Sequence, residues 1–542
     1  MTQYSGNIVD VLNETIYPGT IYVENGKITK IVKDEFEYKT FILPGFIDSH
    51  IHIESSMLPP SEFARIAVTH GTVACVSDPH EIANVLGIDG VRFMIENGKS
   101  IPFHFYFSAP SCVPATNIET SGASISAKEI EQLILDDGVK FLGEMMNFPG
   151  VIRKSPQVIE KLDVAKKYNI PIDGHAPGLS GEDLEKYIKS GISTDHESFT
   201  RDEAFTKMTL GMKILIREGS AVKNFDELIN LAELYPGMMM FCSDDKHPDD
   251  LLKSHINLLV KKSISAGINK MDTLKMACVN PVLHYKLDVG LLQEGDSADF
   301  IEVNNLFGFN VLKTVIKGNL VMEEGISKID FKPVKHLNNF NVTEKTVSDF
   351  FVEDNGKAVK VIEIIDHQLM TIKSSFKLKG VNGNLISDIE NDILKISVIN
   401  RYSDEKPAIS YVKGFDLKEG AIASSVAHDS HNIIIVGTSD EEIAMAANMI
   451  IKNKGGVAYI NKRKGIFNIL PLPIAGLMSD KPYEYVADKY AELDIMAKMN
   501  GVNISAPFMT LSFMALLVIP SIKLSDLGLF DGEKFELTDI YA

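Results

Sequence analysis

Between residues 41 and 285, short runs of apolar, often β-branched residues alternate with stretches of helical periodicity. This alternation is typical of βα units and a parallel sheet, which places the region in the α/β class. Eight apolar runs can be counted, and each ends in polar or ionisable residues: FILPGFIDSHIH, GTVACVSDPHE, HFYFSAPSCVP, KFLGEMMN, IPIDGHAP, ISTDHES, KILIREGS and MMFCSDDKHP. Eight strands separated by helices predict a (β/α)8 barrel of the TIM type, with a catalytic face at the carboxyl ends of its strands.

The regions on either side of this barrel have a different pattern. Residues 1–40 and 286–330 consist of short β-type runs separated by turns, and Asn25-Gly26 is a strong hairpin signal. We expect both flanks to form one small β-sandwich-like domain beside the barrel at 41–285. Beyond a charged, Asn-rich linker, residues 346–542 mix strands such as VKVIEII with helices such as SDEEIAMAANMIIKN. This mixture predicts a C-terminal α+β domain.

Composition and charge narrow the range of partners. Hydrophobic residues make up 45% of the chain and charged residues 23%, as in ordinary globular proteins. The net charge of −19 disfavours a nucleic-acid partner. The N-terminus has no signal-peptide pattern, and the longest apolar stretch, FMALLVIP, is too short to cross a membrane. Four widely spaced cysteines without a CxxC pair suggest free thiols. We expect a cytoplasmic protein with a small-molecule substrate, and a homo-oligomer is compatible with the sequence.

Six imidazole or carboxylate side chains stand at the carboxyl ends of the predicted barrel strands. His50 and His52 lie two residues apart on the first strand, so both side chains point to the same face and can bind one ion together. The fourth, fifth, sixth and eighth strand ends add the others: Glu144, His175, His196 and Asp244. Because strand ends of a barrel converge on one face, the sequence predicts a single cluster.

Nitrogen and oxygen ligands without thiolate suit Mn(II), Fe(II) or Zn(II), and a carboxylate between two histidine sets can bridge two ions. Two bound cations make hydroxide available from a bridging water near neutral pH. Asp244 is then the candidate base, which accepts the proton and passes it to the leaving group. No phosphate-binding loop follows a predicted strand, so we expect no nucleotide cofactor.

Longer motifs surround these six positions. They are PGFIDSHIH at 44–52, SDPHEIANVLG at 77–87, GEMMNFPGVI at 143–152, DGHAPGLSG at 173–181, STDHES at 193–198 and CSDDKHPDDL at 242–251. The first motif, with the later His, His and Asp strand ends, resembles the amidohydrolase superfamily. The others resemble the bacterial adenine deaminase family, and the C-terminal region is similar to the extra C-terminal region of that family.

This resemblance implies a metal-dependent hydrolase that deaminates adenine to hypoxanthine and ammonia, a reaction of purine salvage, with two Mn(II) or Fe(II) ions per subunit. It implies metal-binding roles for five of the six residues, and an acid-base role for Asp244, which also touches the metal. Glu144 stands where many relatives that open cyclic amides carry a carbamylated lysine, which disfavours a hydantoinase or dihydroorotase. The alternative is another binuclear amidohydrolase acting on a different aminated heterocycle or a cyclic amide. A non-catalytic barrel is expected to have a broken ligand set, and this set is complete.

The second strand end, SDPHE, adds His80 and Glu81. Deamination of a purine requires a proton on the N1 side of the ring while water attacks the amino-bearing carbon. We therefore expect Glu81 or His80 to be a catalytic group on the substrate side.

Four further residues have competing interpretations. Asp245 is expected to point away from Asp244 if the strand continues, so a role in supporting the site or in capping a helix competes equally with a catalytic role. His428 is a candidate for the cavity wall if the C-terminal domain covers the barrel, whereas His431 is expected to belong to a polar turn. His247 is close enough to Asp244 in sequence to line the pocket.

Overall fold

The computed structural model describes residues 1–542, and the centre of the chain closes into a barrel of eight parallel strands. The strands are Phe46–Ile51, Thr72–Ser77, His104–Phe107, Leu142–Met145, Ile172–Gly174, Thr194–Asp195, Lys213–Arg217 and Met239–Cys242. Ladders join the first three strands, the fourth to the fifth, and the last three. Single parallel bridges complete the ring, from Ala109 to Leu142, from Ile172 to Ile192 and from Ile51 to Asp244. The predicted (β/α)8 barrel is confirmed.

The first predicted barrel strand is two strands, which corrects the sequence interpretation. Phe41–Pro44 pairs with strands of the flanking sheet, and only Phe46–Ile51 enters the barrel. Gly45 lies at the junction. A Cβ there would lie 2.2 Å from a methyl carbon of Val73 on the second barrel strand, so glycine alone permits this close passage.

Helices surround the barrel and bury their apolar faces against it. At the start of helix Ala127–Asp136, the hydroxyl of Ser126 accepts a hydrogen bond from the backbone N–H of Glu129, and the Glu129 side chain accepts one from the backbone N–H of Ser126. Ile130 and Leu133 of this helix are buried. The α-helices of this region are Pro60–Ala67, His80–Leu86, Ile88–Lys99, Ala127–Asp136, Phe148–Ile152, Pro156–Lys167, Gly181–Lys189, Arg201–Thr209, Phe225–Leu228, Pro248–Lys253, Ile256–Ser265, Lys270–Leu274 and Asn280–Tyr285. No helix of the structure is long and apolar enough to cross a membrane.

One eight-stranded sheet forms the flanking β-domain from chain segments before and after the barrel. Its strand order is Ile326–Ser327, Asn319–Glu323, Val311–Ile316, Phe300–Val303, Phe41–Pro44, Thr2–Asp10, Thr15–Glu24 and Lys27–Lys33. Tyr4 and Phe300 meet edge to face with ring centroids 4.9 Å apart. This contact joins the N-terminal strands to those that follow the barrel.

The C-terminal region is built on a second eight-stranded sheet. Its strand order is Thr371–Phe376, Val359–Ile364, Ala408–Lys413, Ile393–Ile399, Ile433–Gly437, Ala421–Ser424, Gly456–Asn461 and Ile466–Pro471. Short strands complete the region at Gly380–Val381, Asn384–Leu385, Ile522–Ser525, Gly528–Asp531 and Glu536–Leu537. The α-helices are Asp440–Asn453, Tyr483–Met499 and Pro507–Phe513.

The two faces of this C-terminal sheet bury different partners. Ile443 and Ala447 of helix Asp440–Asn453 pack against Ile433 and Ile435 on one face. Residues on the other face belong to the largest apolar cluster of the molecule, which is continuous with the barrel. The C-terminal domain is therefore docked on the barrel through a shared core, and it reaches the end where the predicted site residues lie.

Candidate active site

The imidazoles of His50, His52, His175 and His196 surround the Glu144 carboxylate in a buried cluster at the carboxyl ends of the strands. Nε2 of His52 lies 3.2 Å from Nε2 of His50 and 3.3 Å from Oε1 of Glu144. The other oxygen, Oε2, lies 2.9 Å from Nδ1 of His175 and 3.2 Å from Nε2 of His196. The two carboxylate oxygens of Glu144 thus face two different histidine sets.

Asp244 lies in the same cluster, with Oδ1 3.1 Å from Nε2 of His52 and Oδ2 3.8 Å from Nε2 of His196. The eighth strand ends at Cys242, and Asp244 has a φ of 53°. This left-handed conformation ends the alternation of a strand, so Asp245 also lines the cavity and accepts the Ser55 hydroxyl at 2.6 Å. Because the strand does not continue, Asp245 does not point away from the site, and the N-cap of the following helix is His247.

The cluster fits a divalent metal. Two triplets of ligand atoms share Glu144, one with His50 and His52 and the other with His175 and His196, and the atoms of each triplet lie within 4.8 Å of one another. In the second triplet, the nitrogen of His175 that faces the shared carboxylate is Nδ1, which lies 2.9 Å from Oε2 of Glu144. Nδ1 of His52 lies 2.9 Å from the carbonyl of Asp78, which leaves Nε2 as the coordinating nitrogen.

The charge states of these groups follow from burial and from their neighbours. Burial, together with the His196 imidazole, lowers the pKa of His50 to about 3, so its ring is neutral as metal binding requires. Burial by itself raises the pKa of Glu144, but His175, His196 and His52 hold it well below its usual value. The carboxylate is therefore ionised.

A buried cation, Arg217, stands behind the acidic side of the cluster. Its guanidinium pairs with Glu197, and Nη1 lies 2.5 Å from Oδ2 of Asp244. Burial by itself raises the pKa of Asp244, but Arg217 and then His196 hold it well below its usual value. Neither Arg217 nor Glu197 was expected from the sequence. The available signals were a charged residue ending the apolar run KILIR and an acid directly after His196.

The second strand end brings His80 and Glu81 into the cavity. Nδ1 of His80 lies 3.5 Å from Oε1 of Glu144, and its Nε2 lies 3.4 Å from Oε1 of Glu81. His80 therefore stands between the Glu144 cluster and Glu81.

Two histidines of the C-terminal domain reach Glu81. Nε2 of His428 lies 3.0 Å from Oε1, and Nε2 of His431 is hydrogen-bonded to Oε2. His428 lines the cavity. His431 lies in a turn before strand Ile433–Gly437, but it is completely buried rather than solvated. His247 does not line this cavity, and its ring instead meets the hydroxyl of Tyr490 at 2.7 Å.

Two parts of the chain form the walls of the cavity. The barrel supplies most of the charged residues, whereas the C-terminal domain supplies His428, Asp429 and an apolar wall of Leu369, Phe513 and Leu516. The ammonium of Lys523, buried behind this wall, donates to the carbonyls of Leu369 at 2.7 Å and Phe513 at 3.0 Å. These two hydrogen bonds tie the two wall segments together.

Comparison with known proteins gives matches along the whole chain. The amidohydrolase family model matches residues 41–321, and the adenine deaminase C-terminal domain model matches residues 368–536. An adenine deaminase of Sulfurovum sp. (strain NBC37-1) is 53% identical over 538 residues, which cover 99% of both chains. Adenine deaminases of Salinibacter ruber and Methanosarcina mazei are 49% and 48% identical, over 99% and 100% of this chain and 98% and 100% of their own. The chain therefore belongs to the adenine deaminase family of the amidohydrolases.

Proposed function

We propose that this protein hydrolyses adenine to hypoxanthine and ammonia. The observation that carries the proposal is the extent of the family match. It spans the barrel cluster and also the C-terminal segments that provide the apolar wall, so both halves of the cavity lie within it. The four buried, unpaired cysteines fit a reducing compartment, and we place the enzyme in the cytoplasm.

The metal site is proposed to hold two ions, Mn(II) or Fe(II), in each subunit. His50 and His52 would hold one ion, His175 and His196 the other, with Glu144 between them and Asp244 beside the first set. When bound, the cations supply a water molecule of lowered pKa and polarise the bond that it attacks. The two ligand triplets that share Glu144, and the Asp78 carbonyl that leaves Nε2 of His52 free to coordinate, support this assignment.

Asp244 is assigned the transfer of protons on the water side of the reaction. Its carboxylate accepts a proton as the water oxygen forms a bond to C6 of adenine, and it returns this proton to the amino group as the C6–N bond breaks. Arg217 and His196 keep Asp244 ionised and fixed in place for the first of these steps.

The opposite side of the ring is assigned to His80 and Glu81. One of them delivers a proton to N1, which allows the ring to accept the electrons displaced by water attack, and the second proton of the water replaces the proton that this group has given up. Leu369, Phe513 and Leu516 supply an apolar surface suited to the face of a flat heterocycle. A purine has polar atoms along its edge and an apolar ring face, and this cavity offers charged residues to the one and apolar residues to the other.

The test is a steady-state assay of adenine, adenosine, guanine and cytosine with protein reconstituted with Mn(II) or Fe(II), coupled to metal quantification. We expect turnover of adenine alone and two metal ions per subunit. Turnover of another aminated heterocycle or of a cyclic amide, with adenine untouched, would replace the proposal by the alternative amidohydrolase activity.

A further inference from the structure

Glu81 belongs to the barrel, but two of the three histidines around its carboxylate belong to the C-terminal domain, and the third is His80. His431 bonds Oε2, and Nε2 of His428 lies 3.0 Å from Oε1. All three side chains are buried. The position of Glu81 in the cavity therefore depends on a segment about 350 residues away in sequence.

The hydrogen bonds of His431 determine which of its nitrogens carries the proton. The backbone N–H of Ala427 donates to Nδ1 of His431 at 3.2 Å, so Nδ1 acts as an acceptor. In a neutral imidazole with an unprotonated Nδ1, the hydrogen is on Nε2. Nε2 of His431 is therefore the donor, and Oε2 of Glu81 is the acceptor.

The two oxygens of Glu81 consequently differ in their surroundings. Oε2 is held by His431, which does not line the cavity. Oε1 is buried without a well-aligned hydrogen bond, and Glu81 lines the cavity. Oε1 is thus the oxygen left for a substrate.

His428 has a different environment from His431. Its Nδ1 lies 2.6 Å from the hydroxyl of Ser512, and its Nε2 lies 3.4 Å from Oδ1 of Asp245 as well as near Glu81. Because His428 lines the cavity and touches two carboxylates, its replacement would change several contacts at once. Glu81 is the only carboxylate of the site that His431 contacts, and this makes its role separable.

We propose that His431 is a positioning residue for the deamination described above: it fixes Glu81 by Oε2 so that Oε1 faces the substrate ring. The inference rests on the proposed function, because it concerns the group assigned to the N1 side. It makes the C-terminal domain part of the proton-transfer apparatus as well as a wall of the cavity.

The test compares His431→Gln with His431→Asn. Both variants carry a neutral amide, but only the longer glutamine places an N–H donor near the position of Nε2. A hydrogen bond to a charged group contributes enough to predict a loss of about 10- to 100-fold in kcat for His431→Asn. We expect His431→Gln to retain kcat within about threefold, with KM and metal content unchanged in both.

Tyr490→Phe is the matched control, because it removes another buried hydrogen bond between the C-terminal domain and the barrel without touching Glu81. It should leave kcat within about twofold. A double-mutant cycle supplies the second readout. In a Glu81→Gln background, His431→Asn should lower kcat by less than about twofold, since the group through which it acts is already altered.

Four results would overturn the inference. Equal losses from His431→Asn in the wild-type and Glu81→Gln backgrounds would assign it a structural role, and loss of a metal equivalent would make it a ligand. If kcat is unchanged in His431→Asn but falls strongly in Glu81→Gln, His431 has no part in the mechanism and the role of Glu81 stands. Absence of adenine turnover by the wild-type protein would instead reject the proposed function, and the positioning role with it.

Discussion

The barrel and the C-terminal domain contribute different chemistry to one cavity. The barrel half presents nitrogen and oxygen donors in a charged, hydrogen-bonded cluster around Glu144. The C-terminal half presents Leu369, Phe513 and Leu516, with His428 and Asp429 as its polar members. We interpret the first half as the reacting centre and the second as the surface that excludes water and orients the ring. Substitutions in the two halves should then affect different kinetic or thermodynamic quantities.

The largest effect is expected from Asp244→Asn in the barrel half. An amide cannot accept the proton of the attacking water, so kcat should fall by about 10²- to 10⁴-fold. Steady-state adenine kinetics at measured metal occupancy test this expectation. Asp249→Asn is the control, because Asp249 pairs with Lys253 at the surface and does not line the cavity. If Asp244→Asn with full metal keeps its kcat, Asp244 is not the base.

The next effect concerns stability. Arg217→Met leaves Asp244 and Glu197 buried without their cation, and loss of one partner of a buried ion pair costs about 3–5 kcal/mol. Urea denaturation of the metal-free protein measures this change in the free energy of unfolding. Arg463→Met removes an ion pair with Glu419 whose guanidinium is 82% exposed, and it should have a far smaller effect. Equal stability of the two variants would show that Arg217 does not neutralise this side of the site.

The smallest effect is expected in the C-terminal half, from Phe513→Ala. Removal of apolar surface from the wall should raise KM for adenine about tenfold and leave kcat within about threefold. The matched control is Phe467→Ala, since Phe467 is exposed on the same domain and distant from the cavity lining. A loss that falls on kcat instead would contradict the division of labour between the halves. Thermal melting of both variants checks that the fold is retained.

The barrel half could be predicted from the sequence because its pattern is local. His50 and His52 share a strand face by spacing alone, and Glu144 directly follows an apolar run. Parallel strands bring such ends together whatever the length of the connections. The strand count and the convergence of these donors therefore followed from short motifs.

The remaining features depend on contacts that no local pattern encodes. Asp245 turns into the cavity because Asp244 adopts a left-handed conformation after the strand has ended. Leu369 and Phe513 resemble ordinary core residues in the sequence, since an apolar wall and an apolar core have the same composition. The sequence places His431 only in a polar turn, because its partner, Glu81, lies far away in the chain.

The apolar wall also bears on how molecules enter and leave. Every side chain that lines the cavity is buried, including Leu369, Phe513 and Leu516. A purine bound beside Glu144 is therefore surrounded by buried side chains. Since Lys523 links the segments of Leu369 and Phe513, any movement of these segments is expected to carry both of them as one unit. Such a movement widens the path by which a purine enters and ammonia leaves.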